Sequence, residues 1–146
     1  MKIEMNEQQA LAGFGAGIDC SQVVLAAAAP QLGLDEKTAR RLAAAFGGGM
    51  WRGATCGCVV GALMALGLRY GNCEPGDQET KNDFLAKKAA FEAAFCERNG
   101  SLVCREILGY DLSDPRQMEK IMELKLLETR CPKLVCSACE ILEEML

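Results

Sequence analysis

The longest apolar stretch of the chain runs from Gly53 to Leu68 and contains Thr55 as its only polar side chain. A helix that is apolar on every side is a buried helix, and this stretch is shorter than the about 20 residues that a membrane-spanning helix requires. Small residues recur along it at helical spacing, at Gly57, Gly61 and Ala65, so a neighbouring helix can approach one face closely. The pattern predicts a buried, Gly/Ala-rich central helix over about residues 54–69.

Outside this stretch, apolar positions recur every three to four residues, as in amphipathic helices, and no useful length alternates with a period of two. Caps, prolines and glycines at the ends of these patterns indicate further helices. They cover residues 19–29, 35–46, 77–98, 101–108, 114–126 and 131–145. We therefore predict an all-α fold, a compact bundle of about seven helices around the central one, in a single cysteine-rich domain over residues 1–146.

Composition and charge narrow the classes of partner. Half of the 146 residues are hydrophobic, and the net charge is −4. The sequence shows no basic patch of the kind that nucleic-acid-binding proteins carry. The first residues lack the apolar core of a signal peptide. We expect a cytoplasmic protein with neither a nucleic acid nor a membrane as its partner.

Cysteine is the unusual residue of this chain, which has nine cysteines and no histidine. In a reducing compartment, clustered cysteines indicate metal binding or redox chemistry more often than structural disulfides. The missing histidine removes the commonest general base and the commonest metal ligand. Another part of the structure must therefore activate a reactive thiol.

Four cysteines fall in or beside the first turn of a predicted helix, namely Cys20, Cys56, Cys104 and Cys131. The N-terminus of a helix carries a partial positive charge and unpaired amide donors, which lower the pKa of a thiol placed there. We therefore expect these four to form one redox-active site, and we expect Cys56→Ser to abolish an oxidation-linked change.

The other five cysteines carry weaker signals. Cys58 shares a site with Cys56 only if Cys56 is still in the turn before the helix, because residues i and i+2 of a helix point about 200° apart. Cys96 lies beside an apolar stripe and Cys73 in a predicted loop. Cys136 and Cys139 form a C-x-x-C, but it lies inside a helix without the preceding strand of a thioredoxin-like site.

Several pieces of the sequence resemble the C-GCAxxG-C-C family, which is named for its cysteine pattern and carries a redox-active label. These pieces are Asp19-Cys20-Ser21-Gln22, Phe46-Gly47-Gly48-Gly49-Met50, Thr55-Cys56-Gly57 with Gly61 to Leu68, Cys104 to Asp111, and Cys131-Pro132. The resemblance covers residues from about 19 to 146. It implies functional roles for Cys20, Cys56, Cys104 and Cys131, and it leaves open whether Cys56 or Cys58 is the second cysteine of the pattern.

Three functions are compatible with these observations. The first is reversible thiol–disulfide chemistry with a redox partner protein or a small thiol. The second is an iron–sulfur cluster or zinc site, with thiolates as the ligands; its candidate ligands are Cys20, Cys56, Cys58, Cys104 and Cys131. The third is a helical interaction module without chemistry of its own. The first two require that these distant cysteines meet in one pocket.

Overall fold

The computed structural model describes all 146 residues and contains nine α-helices and no strand. The helices are α1 (Glu7–Gly15), α2 (Cys20–Ala28), α3 (Glu36–Leu42), α4 (Gly57–Tyr70), α5 (Gln78–Asn99), α6 (Cys104–Leu108), α7 (Pro115–Glu123), α8 (Leu126–Thr129) and α9 (Cys131–Met145). The predicted all-α class is confirmed, whereas the predicted count of about seven helices is too low. No helix combines the length and the apolar character that crossing a bilayer demands.

Two local features account for the additional helices. The Asn6 side chain accepts the Gln9 amide at 2.8 Å and the Gln9 side chain accepts the Asn6 amide at 2.9 Å, and this capping box starts α1. Lys125 has a positive φ of 56°, which divides the predicted helix over 114–126 into α7 and α8. Neither a reciprocal cap at Asn6 nor a left-handed lysine was part of the sequence prediction.

Helix α4 lies at the centre of the packing, with α2, α5 and α9 all in contact with it. Its closest neighbour is α2, because a Cβ built on Gly61 would lie only 2.6 Å from the Ser21 carbonyl oxygen. Val59, Ala62 and Leu66 on α4 are fully buried. Helix α4 begins three residues later than the predicted boundary at residue 54.

The glycine run after α3 forms a left-handed turn. Gly48, Gly49, Met50 and Trp51 all have φ between 55° and 63°, a region that costs about 1–2 kcal/mol for a residue with a side chain. The sequence predicted that these glycines simply end a helix at Phe46, but α3 already ends at Leu42. The turn holds the Met50 and Trp51 side chains about half exposed.

A single antiparallel bridge, between Thr55 and Val103, connects the segment before α4 to the segment before α6. Residues 54–56 and 101–103, which were predicted to be helical, therefore lie outside the helices. The bridge gives each of the two segments a hydrogen-bonding partner. This bridge fixes the relative position of the first turns of α4 and α6.

Candidate thiol site

Five cysteines line one cavity of about 160 Å³, although their positions span more than 100 residues of sequence. They are Cys20, Cys56, Cys58, Cys104 and Cys131. The structure thus brings together the four cysteines that the sequence singled out, and adds Cys58. None of the remaining four cysteines lines this cavity.

Four of these side chains belong to residues at the starts of helices. Cys20, Cys104 and Cys131 are the first residues of α2, α6 and α9, and Cys56 immediately precedes α4. Cys58 is the second residue of α4. Because α4 begins only at Gly57, Cys58 lies in the first turn beside Cys56, as the sequence analysis required for the two to share one site.

Backbone hydrogen bonds hold Cys56 next to Cys104. The Cys56 amide donates to the Leu102 carbonyl at 2.7 Å, and the Cys104 amide donates to the Ala54 carbonyl at 2.6 Å. These two bonds flank the bridge between Thr55 and Val103. The cysteines of two different helices are therefore positioned by main-chain contacts that do not depend on their side chains.

Cys58 interacts with two other thiols of the cavity. Side-chain hydrogen bonds with Cys20 and with Cys56 are the main causes that raise the pKa of Cys58. Its hydrogen bond lowers the pKa of Cys20 to about 7, and the backbone amides of Gly48 and Ser21 act in the same direction. Burial and the negative charge of Asp19 oppose this effect and are outweighed. Cys20 is therefore the acidic thiol of the site.

The position of the Cys20 sulfur depends on the absence of a side chain at Gly57. A Cβ built on Gly57 would overlap the Cys20 sulfur and would lie 2.9 Å from the Phe46 carbonyl oxygen. The sulfur consequently rests against the first turn of α4, where unpaired amides favour a negative charge. Glycine is required here by the close approach of Cys20 rather than by the backbone conformation.

Three other thiols of the cavity, those of Cys58, Cys104 and Cys131, are held in their protonated form. The pKa of Cys58 is raised well above its ordinary value by its hydrogen bonds to Cys20 and Cys56 and by burial. Burial raises the pKa of Cys104 to about 12 and also raises the pKa of Cys131, with nearby thiolates adding to both. The sequence-based expectation of acidic thiols is wrong for Cys104 and Cys131. A helix terminus contributes about 0.3–1 kcal/mol, less than one pKa unit, so the loss of solvation prevails.

Apart from the sulfurs, the cavity wall is largely apolar. Its aliphatic and aromatic side chains include those of Phe14, Ile18, Ile107, Leu108, Leu112, Leu127 and Leu134. Asp19 is the one charged residue in the wall. Burial raises the pKa of its carboxyl, and a hydrogen bond from the Trp51 side chain partly offsets that effect. Trp51, itself 48% exposed, borders the cavity where it meets solvent.

Sequence reasoning missed the roles of two of these lining residues. Asp19 was identified only as a helix cap, and Trp51 was not singled out at all, although both adjoin conspicuous motifs. Arg52, four residues before Cys56, is exposed and does not line the cavity. The left-handed turn, which carries Trp51 toward Asp19, had no local signal at Met50 or Trp51.

The thiols of the cavity do not meet the requirements of a metal centre. Zinc and iron–sulfur sites need three or four convergent ligands. No group of three or more Cys, Asp or Glu side chains in the structure is arranged to hold a metal ion. The five thiols share a cavity without forming such a ligand set, so the residues present do not fit the predicted iron–sulfur or zinc site.

The remaining cysteines lie in other environments. Cys73 is exposed, Cys96 and Cys136 are partly buried, and Cys139 is buried. Burial raises the pKa of Cys139 to about 12 and raises the pKa of Cys136 as well. The C-x-x-C that these last two residues form lies within α9, where no acidic thiol initiates exchange.

Comparison with protein families gives a match to the profile described as "Putative redox-active protein (C_GCAxxG_C_C)", over residues 18–145. Comparison with curated proteins and with solved structures gives no match. The matched range includes every cysteine of the cavity, and the resemblance drawn from the sequence is confirmed. The chain therefore belongs to the C_GCAxxG_C_C family, whose members are described as redox-active.

Proposed function

We propose that the protein performs reversible thiol–disulfide chemistry, with Cys20 and Cys58 alternating between two thiols and one disulfide. The observation that carries this proposal is that both side chains line one cavity, where the Cys20 sulfur packs against Gly57, the residue next to Cys58. Disulfide formation requires the sulfurs of a pair to approach each other closely. Cys20 and Cys58 lie on the facing first turns of α2 and α4 in the reduced protein, where all nine cysteines are free.

The surroundings of the two residues support different roles for them. Cys20 is partly buried and is the acidic thiol of the site, which suits the thiol that attacks an incoming disulfide, because the thiolate is the nucleophile in exchange. Cys58 is fully buried and protonated, which suits the thiol that resolves the mixed disulfide. Oxidation of the pair removes two electrons and two protons and forms one S–S bond.

Cys56 is the main alternative to Cys20 as the cysteine that forms the disulfide with Cys58. Its side chain lines the same cavity and also raises the pKa of Cys58, and the sequence pointed to Cys56 as the essential thiol. The contacts favour Cys20 instead, because the Cys58 hydrogen bond and two backbone amides stabilise its thiolate. Cys104 and Cys131 line the same cavity as protonated thiols, and we assign them no part in the exchange.

Thiol titration after mild oxidation tests the proposal. Diamide should remove two titratable thiols from the wild-type protein, and a reductant should restore them. Cys20→Ser and Cys58→Ser should each abolish this loss, whereas Cys73→Ser, which changes an exposed loop cysteine, should retain it. Full retention of the loss in Cys58→Ser would contradict the assigned pair.

The same preparation distinguishes the alternatives. Anaerobically purified protein should contain no stoichiometric iron or zinc; an equimolar, tightly bound metal would overturn the proposal in favour of the metal site. A thiol titre that does not change with oxidant in metal-free protein would also overturn it and would favour an interaction module.

A further inference from the structure

We propose that the thiol site acts on small, neutral disulfides with short apolar substituents, which enter the cavity and react with Cys20. This inference rests on the proposed function of Cys20 and Cys58. It concerns the chemical class of the substrate, which the family description leaves open. Cavity size, wall chemistry and access to the sulfurs each support it independently.

The size of the cavity limits the molecule that it can hold. An apolar cavity of about 150 Å³ accommodates a benzene-sized ligand, and the volume here is about 160 Å³. A dialkyl disulfide with one- or two-carbon substituents fits such a space. A peptide disulfide such as oxidised glutathione is several times larger and does not.

The wall selects against charge, particularly negative charge. It consists mainly of leucine, isoleucine and phenylalanine side chains and cysteine thiols, and Asp19 is its one charged residue. Moving a carboxylate into apolar surroundings without a paired cation is strongly unfavourable. No lysine or arginine lines the cavity, so an anionic disulfide would lose its hydration and would face Asp19.

Access to the sulfurs argues against a protein disulfide as the substrate. Cys20, the attacking thiol, is partly buried, and Cys58, with which it pairs, is 0% exposed. Thiol–disulfide exchange requires that the attacking sulfur reach the disulfide directly. A disulfide fixed in a folded partner would stop at the rim, whereas a small molecule can pass Trp51 and reach Cys20.

The two exchange steps balance without an additional oxidant or reductant. The Cys20 thiolate attacks one sulfur of R–S–S–R, the S–S bond breaks, and RS⁻ leaves while Cys20 is held in a mixed disulfide. Cys58 then loses its proton to the released thiolate and attacks the Cys20 sulfur, which expels the second RS⁻. The substrate gains two electrons and becomes two thiols, and the protein retains the disulfide between Cys20 and Cys58.

A series of disulfides tests the substrate class on the wild-type protein. The rate of thiol loss is measured with dimethyl disulfide, diethyl disulfide, dithiodiglycolate, cystamine and oxidised glutathione. Each rate is divided by that of the same disulfide with 2-mercaptoethanol at the same pH, which removes its intrinsic reactivity. The normalised rate should rise by about fourfold for each additional buried methylene. It should fall below that of dimethyl disulfide for the two charged probes and for oxidised glutathione.

Two substitutions show whether the alkyl groups occupy the cavity. Leu127 lines it and is only partly buried, so Leu127→Ala should enlarge the space and make dipropyl disulfide faster than diethyl disulfide. Leu85→Ala changes an exposed leucine outside the cavity and should preserve the wild-type ranking. The wild-type series does not depend on the folding of either variant.

The outcomes separate the two proposals. Equal normalised rates for all five disulfides, or a preference for oxidised glutathione, would overturn the substrate class while leaving the thiol–disulfide function intact. Failure of every disulfide and of diamide to oxidise the protein would overturn both.

Discussion

At the scale of single residues, the site depends on the Cys20 sulfur, which occupies the space that a side chain at residue 57 would fill. Cys20 contacts Gly57 so closely that any Cβ there would collide with its sulfur. The same placement brings Cys20 to Cys58 and to the backbone amides that lower its pKa. The chemistry of Cys20 thus depends on Gly57, on a different helix.

Gly57→Ala should therefore raise the pKa of Cys20 from about 7 toward the ordinary value of 9.0. The added methyl group displaces the sulfur from its hydrogen-bonding partners, which removes the stabilisation of the thiolate. The measurement is the pH dependence of Cys20 alkylation by iodoacetamide, followed by mass spectrometry.

The matched control for this substitution is Gly15→Ala, at a position where a Cβ would meet nothing within 4 Å. That variant should keep the wild-type pH midpoint. An unchanged midpoint in Gly57→Ala would show that the contact with the first turn of α4 does not determine the acidity of Cys20.

At the scale of elements, the cavity exists because α2 packs closely against α4 at glycine positions that have no side chain. Gly61 allows the contact with Ser21 that aligns the first turns of the two helices. The bridge between Thr55 and Val103 adds the first turn of α6. Three helix starts are thereby fixed around one space by main-chain contacts.

Alanine substitutions at two glycines of α4 should change the stability of the fold in opposite directions. A Cβ at Gly61 would lie 2.6 Å from the Ser21 carbonyl oxygen, whereas at Gly67 the nearest atom would be Phe84 Cζ at 3.9 Å. Gly61→Ala should destabilise the fold by about 1–3 kcal/mol through overpacking. Gly67→Ala should stabilise it by up to about 1 kcal/mol, because alanine is the better helix former.

Urea unfolding followed by the fluorescence of Trp51, the only tryptophan, measures both effects. The two variants serve as controls for each other, since each adds one methyl group to the same helix. Similar free energies of unfolding for the two variants would contradict the close packing of α2 against α4.

At the scale of the whole molecule, the ionisation of the thiols links stability to pH. The pKa of Cys20 is lowered to about 7, and those of Cys58, Cys104, Cys131 and Cys139 are raised. Between pH 7 and 9 the unfolded chain keeps a proton on Cys20 that the folded protein has lost, so stability rises with pH. Above pH 9 the thiols of the unfolded chain ionise while these four thiols of the folded protein stay protonated, so stability falls.

We therefore expect the free energy of unfolding, measured with reductant present, to increase between pH 7 and pH 9 by on the order of 2 kcal/mol and to decline above pH 9. Cys20→Ser should lack the increase, and Cys73→Ser should retain it. A wild-type curve that is flat or falling between pH 7 and 9 would be inconsistent with an acidic Cys20.

Much of this organisation could be predicted from the sequence, because it follows from local signals. Asp19, Pro132 and the pattern of apolar positions locate helix starts, and the cysteines beside those starts share the cavity. The role of Cys58 was not predictable, because it depends on α4 beginning at Gly57 rather than near residue 54. A tertiary contact, the bridge to Val103, sets that boundary.

The acidities of the thiols could not be predicted for a related reason. A helix start is a local feature, whereas burial is a property of the assembled fold. Cys20 and Cys104 occupy equivalent positions at the starts of their helices, yet their pKa values move in opposite directions. The difference arises because Cys20 has Cys58 and two amides as partners, while burial is the main influence on Cys104.

The identity of the disulfide tests the central claim most directly. Wild-type protein is oxidised with one equivalent of diamide, trapped in acid and digested, and the linked peptides are fragmented so that Cys56 and Cys58 are distinguished. The account predicts one dominant link, between Cys20 and Cys58. A dominant link between any other cysteines, such as Cys136 with Cys139, would contradict it.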